Sequence, residues 1–357
     1  YAHKHQFQIE KISRNRAIRM LEDILSYEDD LKEIINLSTI SIDSVLESEL
    51  EERFVDALQE YCLKIDSWKW EDIAINGKPG GLLTTGQYKW KVEPQVEIGD
   101  AEGISEATRP DIVFWPEEGN PGMAIALYLD GYKYHVSPNK EYSAMSRDID
   151  KRHAIIKSKK FNVWTLTWYD LEEFGEQNDG AHLFSSINHE GLNRILQKSG
   201  VQFFQAAHLN VNPVQFFFNY LVNPSQSDWE KIAMCIIAVY VTANRYNAND
   251  IERVSDQLLE SNDLSSIPFE PSDDPQDPFA KIIKTNFITH LSSAPIKALQ
   301  EMSADNVNLI TRIEVDRESR DSGDYRGDWR IFWQTINIIQ FMPNMKIVSD
   351  EQEVVSA

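Results

Sequence analysis

The chain has 357 residues, of which 42% are hydrophobic and 9 are Trp, and it carries a formal net charge of −22. That length suits one large domain or two ordinary ones, and that apolar content excludes a disordered chain. The acidity excludes nonspecific duplex binding by the whole surface, because phosphate contacts need clustered Lys and Arg, but it leaves room for a local basic face. Only Cys62 and Cys235 occur, with no CxxC. Neither a disulfide framework nor a cysteine zinc site is indicated, and a reducing, cytoplasmic compartment is expected. No apolar run approaches the roughly 20 residues that span a bilayer, and the N-terminus is no signal peptide, so no membrane partner is expected. The chain begins YAHKHQ without Met, which marks it as an expected fragment of a longer polypeptide.

Residues 1–44 read as a polar helical lead-in, with Ile12, Ile18, Leu21, Leu25 and Leu31 near helical spacing. Residues 44–63 form the clearest amphipathic helix, with Leu46, Leu50, Phe54, Ala57, Leu58 and Tyr61 on one stripe. Glu51 and Glu52 flank that stripe. Either both are solvent-facing helix formers, or Glu51, one step off the stripe, points over a sheet edge. Gly77-Lys78-Pro79-Gly80-Gly81 lacks the spacing of a phosphate loop and reads as a turn or surface loop. Residues 90–98 alternate apolar and polar, as a half-buried strand does, with Pro94 favouring an edge or bulge. Glu93, Gln95 and Glu97 share the polar side, either as surface groups or with one of them reaching a site.

Three short apolar runs follow: Pro110–Phe114, Ala124–Leu129 and Phe161–Trp168. Each reads as a buried strand, with a charged helix near Asp148–Lys157 before the third. Asp111 then sits at a strand start and Asp130 at a strand end, with His135 five residues on. Two carboxylates meeting at one sheet edge beside an imidazole would suit a hard divalent cation and an acid-base group. Asp148 and Arg152 stand four apart, a spacing that permits a same-face ion pair. Lys151, Arg152, His153, Lys157, Lys159 and Lys160 fall within ten residues, either as a solvated helix face or as a nucleic-acid contact. Lys133 projects from the segment between Asp130 and His135.

Beyond residue 175 the chain is predicted to be largely helical through residue 261, with the aromatic run near Phe216–Phe218 as packing core. Residues 262–280 read as an acidic, Pro-rich connector. Residues 283–293 and 306–317 are predicted as strands, and residues 328–343 as an aromatic-rich helix.

The segments RPDIVFW, LYLDGYKYH, RDIDKR and FNVWTLTW together resemble the Vsr-like branch of the PD-(D/E)XK nucleases, which includes very-short-patch repair endonucleases. The resemblance implies an α/β fold with a restriction-endonuclease-like αβββαβ core over residues 45–175. N-terminal helices would precede it, and a helical region at 176–261 and an α+β region at 262–357 would follow. It implies Asp111 and the Leu129 carbonyl as ligands of Mg2+ or Mn2+, with Asp130, where very-short-patch enzymes have a histidine, either as a further ligand or as a residue orienting water. It implies His135 as general acid or base and Glu51 as the helical glutamate, with Glu52 as rival. DNA contacts would come from Lys133, Lys151, Arg152, Lys157 and Lys160. Tyr128 stands where related branches often carry a glutamate, and the usual lysine is absent.

The NIIQFMPN segment beside such a core resembles the C-terminal regions of large DEAD/DEAH-box helicases of bacterial antiviral defence, although no Walker A motif occurs here. The expected activity is Mg2+-dependent DNA endonuclease cleavage in phage defence or repair, with protein partners or an upstream helicase domain. The alternative is an inactive nuclease-fold module that binds DNA or a partner protein, a reading favoured by Tyr128 and the missing lysine.

Overall fold

The computed structural model describes residues 41–136, 144–174, 183–184, 186–242, 251–260 and 279–349. The described chain is mixed α/β and divides into two compact units. One comprises residues up to Val96 together with Arg109–Asn120; the other comprises Glu97–Thr108 together with the residues from Pro121 on. The predicted N-terminal helices through residue 40 and most of the acidic connector, residues 262–278, lie outside the described residues.

In the first unit the predicted amphipathic helix spans Glu49–Lys64. Ser48 caps it by accepting the Glu51 N–H through its hydroxyl, the capping that an S-x-x-E start favours. Leu50, Phe54, Val55 and Leu58 are buried, and Phe54 meets Phe114 edge-on at 6.3 Å between ring centres. The strands β1 (Trp68–Ile75), β2 (Lys78–Thr85), β3 (Tyr88–Pro94) and β4 (Ile112–Pro116) pair antiparallel in sequence order.

The glycine-rich stretch expected as a loop is instead the start of β2. Asn76 and Gly77, with φ of 52° and 80°, make a left-handed two-residue turn whose twist matches the flanking strands. A Cβ on Gly81 would fall 2.1 Å from the Trp70 ring, so glycine here lets the indole lie across the neighbouring strand.

In the second unit β5 (Ala124–Asp130) and β6 (Phe161–Thr167) pair in parallel, joined through the crossover helix Met145–Ser158. Every residue of both strands is buried, as a strand covered on both faces requires. A further sheet runs in the order β10 (Asn344–Ser349), β9 (Asn308–Ile313), β8 (Ile288–Ala294), β7 (Phe279–Lys284), with β10 parallel to β9 and the other pairs antiparallel. β8 and β9 match the predicted strands, whereas β10 was not foreseen.

Helices Pro213–Val222 and Gln226–Thr242 carry the aromatic run. Phe216, Phe217 and Tyr220 pack on Trp164 of β6 at 5.7, 5.1 and 5.3 Å, so the run is core.

Helix Tyr325–Ile339 and the turn after it complete β6. Asn337 accepts the Thr165 N–H at 2.9 Å and donates to the Thr165 carbonyl at 2.8 Å, while Gln340 accepts the Val163 N–H at 2.7 Å. Side-chain amides thus satisfy backbone groups of an edge strand, one way of protecting such an edge. Both residues belong to the NIIQFMPN segment, which accordingly has a structural task. They also tie residue 337 to residue 165, so packing continues across the boundary expected at residue 175. Asn337→Leu leaves the Thr165 N–H and carbonyl unpaired in the core and is expected to cost about 2–4 kcal/mol in urea unfolding. A loss under about 0.5 kcal/mol, the range of an ordinary surface substitution, would contradict this assignment.

Candidate functional site

The candidate site gathers at the carboxyl ends of β5 and β6, where open α/β sheets place their ligands. Asp130 closes β5 and lies in register with Thr167 at the end of β6. Gly131 then leads into the short helix Tyr132–His135. The crossover helix returns with Met145, Ile149, Arg152 and Ile155 buried, so an arginine occupies a position on the apolar stripe.

That arginine is spoken for. Its Nη2 donates to Asp130 Oδ1 at 2.7 Å, with both side chains 1% exposed. The guanidinium lies between two rings, 4.4 Å from the centre of Tyr128 and 4.1 Å from that of Trp333. Tyr128 is held in turn by a 3.0 Å hydrogen bond between its hydroxyl and Thr108. Burial opposes the charge on Arg152, and the Asp130 and Asp148 carboxylates outweigh it, raising its pKa further. The expected Asp148–Arg152 ion pair gives way to this arrangement, and Arg152, expected as a DNA contact, is withdrawn from solvent. A buried guanidinium needs the nearest carboxylate that can also be desolvated, and Asp130 at the strand end meets that need.

Asp148 takes a different partner. Its Oδ2 lies 2.7 Å from His135 Nδ1, and His135 Nε2 lies 3.5 Å from Asp130 Oδ1. The imidazole is therefore flanked by two carboxylates while remaining 27% exposed. The Asp130 charge, opposed by burial and reinforced by the Asp148 hydrogen bond, raises the His135 pKa above its ordinary 6.5. Burial works against ionising Asp148, but the His135 hydrogen bond and the Arg152 charge overcome it and hold its carboxyl below 3.8. The sequence reading missed Asp148 as a site residue. The signal was its place one helical turn before an arginine that sits on a buried stripe.

Glu51 and Asp111 belong to the first unit. Glu51 is buried and Glu52 is not, so Glu51 is the inward-facing member of the pair. Its carboxylate accepts from the Ser48 hydroxyl at 2.8 Å, the Glu47 N–H at 3.0 Å and the Gln95 amide at 3.0 Å. Gln95, in the left-handed region with φ of 57°, also donates its N–H to the Asp111 carbonyl at 3.0 Å. Of the three polar residues 93, 95 and 97, Gln95 is thus the one that joins Glu51 to Asp111. Glu93 accepts from the Trp115 indole instead.

The basic set divides. Lys133 is exposed beside His135. Lys151 is half-buried, and Lys157 and Lys160 are exposed near the far end of the crossover helix. At 1.5 Å per residue, position 157 lies roughly 14 Å along the helix from Asp148, and position 160 follows the helix end at Ser158. Lys157 lines a separate cleft of about 560 Å³ at the amino ends of β5 and β6, together with His153, Lys159, Phe161 and Lys346.

As for a metal, Asp130 Oδ2 is buried and has no hydrogen-bond partner among the described residues. It is a hard oxygen next to the Leu129 residue, donor chemistry that fits Mg2+ or Mn2+. Arg152 already supplies countercharge to the other oxygen. Among the described residues no cluster of three or more His, Cys, Asp or Glu forms.

Asp130→Ala would leave the Arg152 guanidinium buried without its carboxylate and should destabilise the protein by about 3–5 kcal/mol in chemical denaturation. The His135–Asp148 pair has its own pH signature. The raised His135 contributes stability that is full below pH 6.5 and is lost as pH climbs through its folded value. The depressed Asp148 contributes stability present above pH 3.8 and lost as pH falls through its folded value. The melting-temperature gap between the wild type and His135→Asn should therefore be widest near pH 5, between the two ordinary values, and narrow as pH rises through the folded value of His135. A gap constant with pH would refute the pairing.

No family model, curated protein or solved structure matches this chain, so the reading of the site rests on its own geometry.

Proposed function

We propose that the chain is a metal-dependent phosphodiesterase module acting on DNA, with a restriction-endonuclease-like core and His135 as its proton-transfer group. The observation that carries this reading is the 2.7 Å contact between Asp148 and an imidazole that still reaches solvent. A hydrogen bond at Nδ1 fixes the ring, and Nε2, 3.5 Å from Asp130 Oδ1, is the nitrogen that would move the proton. A histidine whose pKa is raised by a carboxylate on each side is a stronger base, able to take a proton and return it. In phosphodiester hydrolysis that proton comes from the attacking water or goes to the leaving oxygen. Mg2+ bound at Asp130 Oδ2 and the Leu129 carbonyl would supply Lewis acidity for the phosphate. Arg152 holds Asp130 in place through the 2.7 Å contact, and the exposed Lys133 would offer a charge to the phosphate.

A second reading is a nuclease-fold module that binds DNA or a partner protein without cutting. It is favoured by the Arg152 guanidinium on Asp130, which competes with a cation for the same carboxylate. Association with a helicase partner in antiviral defence belongs to this proposal in either form.

Plasmid nicking separates the two. The wild type should nick supercoiled DNA with Mg2+ and not with EDTA, and His135→Asn should lose about 10²–10⁴-fold in rate. A well-folded wild type that never nicks would overturn the catalytic reading, as would a His135→Asn variant at full rate.

A further inference from the structure

The carboxyl ends of β5 and β6 carry a second feature, built in part by the C-terminal helix. Tyr132 follows β5 and Tyr169 follows β6. Between their rings stands Arg326, from the first turn of helix Tyr325–Ile339. Its guanidinium carbon is 5.2 Å from the Tyr132 ring centre and 5.1 Å from that of Tyr169. Tyr132 also rests edge-on against Trp329 at 5.3 Å, so its ring is braced from the core side.

Arg326 differs from the arginines around it. One turn on, Arg330 also faces Tyr169, at 5.4 Å, but gives its Nη2 to Asp170 at 3.0 Å and to Glu173 at 2.8 Å. Arg152 is committed to Asp130, and Arg320 to the Val315 and Val136 carbonyls. Arg326 is exposed and pairs with no carboxylate among the described residues. In a chain of net charge −22, an exposed guanidinium held against two aromatic faces, with no ion pair among the described residues, marks a place where an anion with a planar part is welcome. Tyr132 lies within one helical turn of His135, whereas Lys157 and Lys160 lie near the other end of the crossover helix.

We propose that Tyr132, Tyr169 and Arg326 form a subsite for one nucleotide of a single-stranded nucleic-acid segment. Arg326 turns its edge to the phosphate, and the unpaired base stacks on the tyrosine face that the guanidinium gives up, the pairing of charge and ring by which proteins hold single strands. This inference rests on the reading that the His135 end of the molecule faces nucleic acid, and it adds the strand form and a contact from outside the nuclease-like segment.

The test is fluorescence anisotropy of a labelled 20-mer of thymidylate titrated with the full chain in EDTA, where cleavage cannot interfere, at several salt concentrations. Arg326→Ala should weaken binding about tenfold and lower the slope of log K against log salt by about 0.7, one single-strand phosphate. Tyr169→Ala should weaken binding about 5- to 100-fold with the slope unchanged. The same oligonucleotide as a duplex should show no loss with Tyr169→Ala. Because Arg326 is exposed, its alanine variant should keep the wild-type melting temperature. If that variant binds with wild-type affinity and slope, the subsite is wrong even where nicking succeeds. If Arg326 controls binding in a protein that never nicks, the subsite stands and only the catalytic reading falls. A wild type that binds no DNA overturns both.

Discussion

The interaction on which the site depends is the buried pair of Asp130 and Arg152. Two charges taken fully out of water lose several kcal/mol of hydration each and recover it only with close, well-oriented contact. Here the contact is 2.7 Å, and the two faces of the guanidinium are covered by Tyr128 and Trp333. The pair pins the end of β5 to the middle of the crossover helix. It thereby decides what Asp148, one turn earlier, can reach. With Arg152 engaged elsewhere, Asp148 turns to His135, and the imidazole acquires a carboxylate on each side.

The same economy of charge separates structural from accessible arginines. Arg152, Arg320 and Arg330 are consumed by internal partners, and each ties together segments distant in sequence: residues 130 and 152, 136 and 320, 170 and 330. Residues from the last third of the chain thus help to build the end of the sheet that carries His135. Asn337 and Gln340 do likewise along β6, where two side-chain amides stand in for a neighbouring strand. Among the described residues no helix is long and apolar enough to cross a membrane.

Much of this was legible in the sequence, for identifiable reasons. The helix Glu49–Lys64 announced itself by its stripe, and the three central strands by short apolar runs bounded by turn residues. Asp130 at a strand end and His135 nearby followed from the same periodicity. The first hairpin was missed because Gly80 and Gly81 resemble loop residues, and their place in a strand is explained only by what lies over them: the Ile75 side chain over Gly80 and the Trp70 ring over Gly81. The partnership of Arg152 was misread because local spacing offers Asp148 four residues away, while tertiary burial chooses Asp130 twenty-two residues away. Basic residues clustered in sequence were read as one face, yet a helix some 20 Å long carries them away from the site. Arg326, nearly two hundred residues from Tyr132, gave no local signal at all.

The account stands on an imidazole held between two carboxylates, and a histidine-resolved NMR titration tests that most directly. The account predicts that His135 titrates above 6.5 in the wild type and moves down when Asp148 is changed to Asn. A His135 that titrates at or below 6.5, and that ignores the loss of the Asp148 charge, would contradict it.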